Sequence, residues 1–241
     1  MLRSVRSELL KLRRSPLWAP ALVSPALTTL VCLADAGEGR GDPWTGALGS
    51  AALLHGLLFL PLLAGVFAAL VCRFEHAGGG WKQILAMPVR PGDVFLAKFG
   101  VVAGLLAFVQ LLVFGGVLLA GLLRGFPAPA PWELLLRCAV GGWVASLPLA
   151  ALQLGASAAW SGFAGPMAAN VILTLPNMLI ANSERYGPYY PWAQPALAMI
   201  PREALSFGAF NVPLDSLLLV VAGSFVLFFA GSFAYFVRKE V

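Results

Sequence analysis

Charge is what this sequence has least of. Only 11% of its 241 residues are Asp, Glu, Lys or Arg, against about a quarter in an ordinary soluble domain. A soluble fold needs a polar surface that such a chain cannot furnish, which excludes the soluble globular classes. Histidine is nearly missing: His55 stands alone in an apolar run and His76 in a polar one. The three cysteines, Cys32, Cys72 and Cys138, lie in or at the edge of apolar runs without zinc or redox spacing, and read as buried structural thiols. There is no H-E-x-x-H, no paired Glu-Glu, no intramembrane Asp pair and no G-x-S-x-G. Hydrolytic chemistry is left without catalytic residues or a metal site. A G-x-x-x-x-G-K-[ST] loop is also missing, so if ATP drives this protein another chain must bind it.

What the chain has instead is apolar length. It is 59% hydrophobic, and runs near 20 residues are needed to cross a hydrocarbon core of about 30 Å. The pattern predicts an all-α integral membrane protein, one domain over residues 1–241, with spans at about 17–34, 44–72, 99–123, 134–160, 163–181 and 214–237. The second is long enough to tilt or to extend past the bilayer. The link at Ser161-Gly162 is very short and fits either a simple turn or a re-entrant pair.

Six spans put both termini on one side, and the charges say which. The N-terminus, the 73–98 interval and the C-terminus hold 11 of the 16 Lys and Arg but only 4 of the 11 Asp and Glu. By the positive-inside rule that side is cytoplasmic, in the cell membrane. The net charge of +5 is therefore a topology signal rather than a nucleic-acid signal.

Residues 1–16 precede the first span. Leu2, Val5, Leu9 and Leu12 recur along one helical stripe, with Arg3, Arg6, Lys11, Arg13 and Arg14 mostly elsewhere. This predicts an amphipathic helix lying at the membrane surface. A signal peptide is the alternative, since Ala34-Asp35-Ala36 resembles a cleavage site. Three prolines in the apolar core and a long, regular basic region oppose it.

The most polar long interval is Arg73–Lys98. Gly78-Gly79-Gly80 breaks the chain, and Trp81, Ile84 and Leu85 then share a helical face opposite Lys82 and Gln83. Pro88 stops that short helix, Pro91-Gly92 turns the chain, and Asp93 is placed to cap the third span. Such a helix between two spans either rests on lipid or docks a partner protein. In the spans, Asn170, Thr174 and Asn177 fall at i, i+4, i+7, and Gln110, Ser146, Gln153 and Ser157 occur in the third and fourth. Amides facing lipid are costly, so these residues face other helices, as glue or as the lining of a substrate path. Tyr186, Tyr189, Tyr190 and Trp192 mark the outer loop 182–213 as an aromatic belt or as a contact for an amphipathic ligand.

The basic start SELLKLRRSPLW, followed after two spans by E-H-x-x-x-x-W-K-Q-I-L-x-M-P-V, resembles permease subunits of ABC-2 type transporters. More narrowly it is similar to the lantibiotic-protection (bacteriocin-immunity) permeases. The resemblance implies a connecting helix over 1–16 and an ATPase-coupling element at Glu75, His76, Trp81, Lys82, Gln83 and Pro88. It implies a second permease, as a homo- or heterodimer, and a cytosolic ABC ATPase carrying ATP and Mg. The implied cargo is an amphipathic cationic peptide expelled outward, or a drug, lipid or natural product. A non-transport membrane scaffold is the reading from another class. The triple glycine stands where the family pattern has polar residues.

Overall fold

A computed structural model of the chain describes residues 2–12, 17–34, 42–76, 80, 90–127, 129–160, 162–202 and 208–239. Every regular element among them is helical. Arg13, Arg14, Trp81, Lys82, Gln83 and Pro88 lie outside the described residues, as does the Arg3 side chain.

The amphipathic helix α1 spans Leu2–Leu12 and packs on the helix that starts at Pro91. Helix α2 is Trp18–Ala34; Thr28 and Thr29 donate back to the carbonyls of Ser24 and Pro25 at 2.8 Å each. The next rod starts on strong local signals: Asp42 accepts from the Thr45 N–H at 3.0 Å, and Pro43 occupies the first helical position. It runs as α3 (Pro43–Ala51), a π-helical segment (Ala52–Phe59) and α4 (Leu60–His76). Helix α5 is Pro91–Leu123, α6 is Trp132–Ala159, and α7 (Ala164–Thr174) and α8 (Asn177–Ala181) follow. After a short α9 (Gln194–Met199), α10 (Leu214–Arg238) ends the chain.

Among the described residues, four stretches are long and apolar enough to cross a membrane: Pro43–Arg73, Pro91–Leu123, Trp132–Ala159 and Leu214–Arg238. Helices α2 and α7 are apolar but shorter. The helix that holds the stretch expected as a third span at 99–123 begins at Pro91. At 33 residues α5 is about 50 Å long, so its base projects beyond an apolar slab of about 30 Å. Asp93 does not cap it. Arg90 is the extended N-cap residue, because Pro91 fixes the first helical position two residues earlier, and Asp93 sits in the first turn facing the helix dipole. The stretch expected at 163–181 is broken at Leu175-Pro176.

The segment 182–213, expected as an outer loop carrying an aromatic belt, holds a buried helix. All six residues of α9 are buried against α6 and the π-helical segment. Two glycines make room for it. A Cβ on Gly56 would come within 2.8 Å of the Ala196 Cα, and one on Gly141 within 2.9 Å of the Ala198 carbonyl oxygen. Trp192 is 6% exposed and belongs to the core, whereas Tyr186 and Tyr189 are exposed. Helix α10 is held by an aromatic ladder: Phe225, Phe229, Phe233 and Phe236 meet Phe95 and Phe99 of α5 at centroid distances of 5.1–5.8 Å. Another face packs on α6, while Leu219, Val226 and Leu227 are exposed.

Candidate functional site

Two polar networks lie inside this apolar bundle. The first is ionic and sits at its base, where α1, the end of α4 and the start of α5 meet. Lys98 is fully buried and donates to Glu8 Oε2 at 3.0 Å, contacts Glu75 Oε1 at 2.9 Å, and donates to the Val71 carbonyl at 2.9 Å. Lys11 reaches the same two carboxylates, Glu75 Oε1 at 2.7 Å and Glu8 Oε1 at 2.8 Å. Glu8 and Glu75 are 4% and 1% exposed. Among the described residues two acids and two bases thus share one pocket with formal charge zero, the condition under which buried charges are tolerated. Burial works against the charge on Lys11, but its hydrogen bonds to Glu75 and Glu8 outweigh it and raise the ammonium pKa above the ordinary 10.5.

Local sequence explains the convergence. Glu8 and Lys11 are three apart on α1 and share a helical face. Lys98 is seven residues beyond Pro91, on the part of α5 that projects past its apolar run. Glu75 is one residue from the end of α4. The network therefore pins α1 to both helices that flank residues 77–90. Close by, His76 Nε2 shares a 2.7 Å hydrogen bond with the Ser157 carbonyl, and Lys239 donates to the Ala158 carbonyl at 2.6 Å. These contacts bring the ends of α6 and α10 to the same base.

The second network is made of neutral amides. Asn170 Oδ1 accepts from Gln153 Nε2 at 2.9 Å and from the Trp192 indole at 2.8 Å, while Asn170 Nδ2 donates to the Pro61 carbonyl at 3.1 Å. Asn177 Nδ2 donates to the carbonyls of Leu57 at 2.7 Å and Trp192 at 2.8 Å. The reason lies in Pro61. In an α register the Leu57 carbonyl would await the Pro61 N–H, which proline lacks, and the segment before it runs as a π-helix. Asn177 supplies the missing donor. Thr174 donates to the Asn170 carbonyl at 2.7 Å, inside its own helix.

The residues expected along a substrate path thus divide. Gln153, Asn170 and Asn177 are brought together between helices. Thr174 bonds locally, and Gln110 lies apart, donating to Met199 Sδ at 3.4 Å beside a small apolar cavity. Glu75 and His76, expected for coupling, are at the base. Of the expected interfacial basic residues, Lys11 joins the ionic network and Arg6 is exposed. Sequence reasoning did not assign Glu8 or Lys98 to the site. The available signal was a single acid in a basic N-terminal helix and a lysine at the mouth of an apolar run. His55 is fully buried, its Nδ1 sharing a 2.7 Å hydrogen bond with Ser24 Oγ.

A family model described as "ABC-2 family transporter protein" matches residues 4–177, well over half of the chain. The chain belongs to the ABC-2 transporter family. The matched region contains all four residues of the ionic network and all the polar residues of the amide network except Trp192. No curated protein matches the chain. Membership in the ABC-2 family makes this a multi-pass membrane component of an ABC transporter and implies an ABC ATPase as partner. Permeases of this family are the transporter's membrane part and are generally not catalytic themselves.

Proposed function

We propose that residues 1–241 form one transmembrane domain, the permease subunit of an ATP-driven exporter, crossing the cell membrane six times with both termini in the cytoplasm. The observation that carries this reading is the buried Glu8–Lys11–Glu75–Lys98 network. A surface helix locked by charge to the helices on either side of a basic, tryptophan-containing segment is a lever. Force applied by a cytosolic ATPase to residues 77–90 would be felt by α1, α4 and α5 together. ATP and Mg are held by that ATPase. Its closure shifts the permease between two arrangements, provided the ATPase binds one of them more tightly.

Function then needs a second permease copy or paralogue to complete the translocation path. The leading cargo is a cationic amphipathic peptide of the lantibiotic type, expelled for self-protection. The acidic excess on the side opposite the base, 7 of 11 carboxylates, supports a cationic cargo. Efflux of a drug, lipid or natural product is the alternative, favoured by the amide network, whose polar atoms are mostly occupied by other helices.

Two measurements test the proposal. Affinity purification of the full chain from its native membrane should recover an ABC ATPase; recovering none would sink the transporter reading. In the reconstituted complex, Trp81→Ala with Lys82→Glu should leave ATP hydrolysis running while export stops. Protection of cells against a lantibiotic, compared with protection against lipophilic drugs, separates the two cargo classes.

A further inference from the structure

At the end of the bundle far from the ionic network, two arginines line adjoining hollows. Arg137 of α6 borders a groove of about 450 Å³ together with Thr45, Pro131, Trp132, Glu133 and Leu134. It also borders a narrow crevice lined by Arg202, Leu197, Ile200, Phe210 and Leu217. Neither guanidinium has an ion pair or hydrogen bond among the described residues, although Glu133 stands one turn before Arg137 on the same helix. Cations that make no ion pair, set beside apolar walls, attract an anion of matching shape, and a guanidinium fits the oxygens of phosphate. The surroundings fix the kind of phosphate. Trp132 is 55% exposed at the helix start, and below it Leu136 and Val140 present an exposed apolar track on the same helix. Tryptophan at the interface over an apolar track is the setting of a lipid headgroup and its chain.

We propose that Arg137 and Arg202 form a binding site for the phosphodiester of a membrane phospholipid, with Trp132 at headgroup level and an acyl chain along Leu136 and Val140. Glu133 sharpens the choice. Its carboxylate in the groove repels a dianionic free phosphate more than a singly charged phosphodiester. The two arginines equally disfavour a cationic peptide at this spot. The inference rests on the membrane placement of the proposed function but not on the ATPase or the cargo.

The test is native mass spectrometry of the full chain in dodecyl maltoside, titrated with dioleoylphosphatidylglycerol. Wild type should hold one lipid well above the affinity for further copies. Arg137→Gln and Arg202→Gln should each weaken that first binding by about tenfold, the scale of one charge-assisted hydrogen bond. Arg137→Lys should keep most of it, and unchanged melting in detergent shows that the variants are folded. Glu133→Gln leaves both arginines in place and should tighten the lipid a few-fold. Inorganic phosphate at millimolar concentration should not displace the lipid. Equal lipid retention in wild type and the Arg137→Gln/Arg202→Gln pair overturns the site, and so does a Glu133→Gln chain that binds more weakly. Displacement by inorganic phosphate overturns the lipid as occupant. A chain that passes these tests but recovers no ATPase keeps the lipid site and loses the transporter reading; the reverse result loses only the site.

Discussion

The ionic network at the base and the amide network in the body of the bundle solve one problem, polar atoms in an apolar interior, in different ways. The amides hold backbone. Asn170 and Asn177 bind carbonyls of the π-helical segment and α4 by directional bonds to fixed main-chain acceptors. The ion network holds side chain to side chain. Glu75 Oε1 serves two lysines, and Glu8 offers one oxygen to each. Charged groups that share partners can exchange them during a rotation without ever being unpaired. The amide network is built to fix a kinked rod, and the ionic network to transmit a displacement between three helices while keeping them joined.

That contrast is broken most directly at Lys98. Lys98→Met leaves Glu8 and Glu75 buried with the partly buried Lys11 as their one remaining cation among the described residues. Removing one partner of a buried charge group costs about 3–5 kcal/mol, so the thermal midpoint of the purified chain should collapse. Adding Glu8→Gln and Glu75→Gln to Lys98→Met should restore most of it, because neutral packed groups replace paired charges at little cost. A single variant that melts like wild type would show that the network holds nothing. Asn170→Leu should cost somewhat less, about 2–4 kcal/mol, since it strands the Gln153 amide, the Trp192 indole and the Pro61 carbonyl rather than a charge. A double-mutant cycle with Gln153→Leu should then show the two residues strongly coupled.

The sequence made these two regions legible to different degrees. Asn170, Thr174 and Asn177 stood out because amides are rare in apolar runs and their spacing put them on one helical face. Their task was hidden, because it depends on a proline more than a hundred residues away. Glu75 is visible through its resemblance motif; Glu8 lies in the basic start of the same motif but carries no assigned role there, and Lys98 is missed because hydropathy ends a span at its last apolar residue while the α5 backbone continues to Pro91. The buried α9 was the least legible element. Its sequence, QPALAM, is too short for a periodic signal and is flanked by proline and aromatic residues that also suit a loop. What admits it is tertiary: Gly56 and Gly141, on two other elements, clear the space.

The smallest effect gives the sharpest separation of the two networks. Lys11 is bound to both carboxylates but reaches solvent, with 28% of its side chain exposed, so Lys11→Met should cost only about 1 kcal/mol near neutrality. Its pH dependence follows from the raised pKa. A base whose folded pKa lies above its unfolded value of 10.5 stabilises fully below that value, and the contribution is lost as pH rises through the folded pKa. The melting-temperature gap between wild type and Lys11→Met should therefore be constant from neutral pH to about 10.5 and close above it. Groups that titrate alike in both chains cancel in the difference. The gap between wild type and Asn170→Leu should stay flat across that whole range, because no member of the amide network carries a titrating charge. A Lys11→Met gap that also stays flat would mean that the lysine acts by packing its stem rather than by its charge, and would remove the main physical distinction drawn between the two networks.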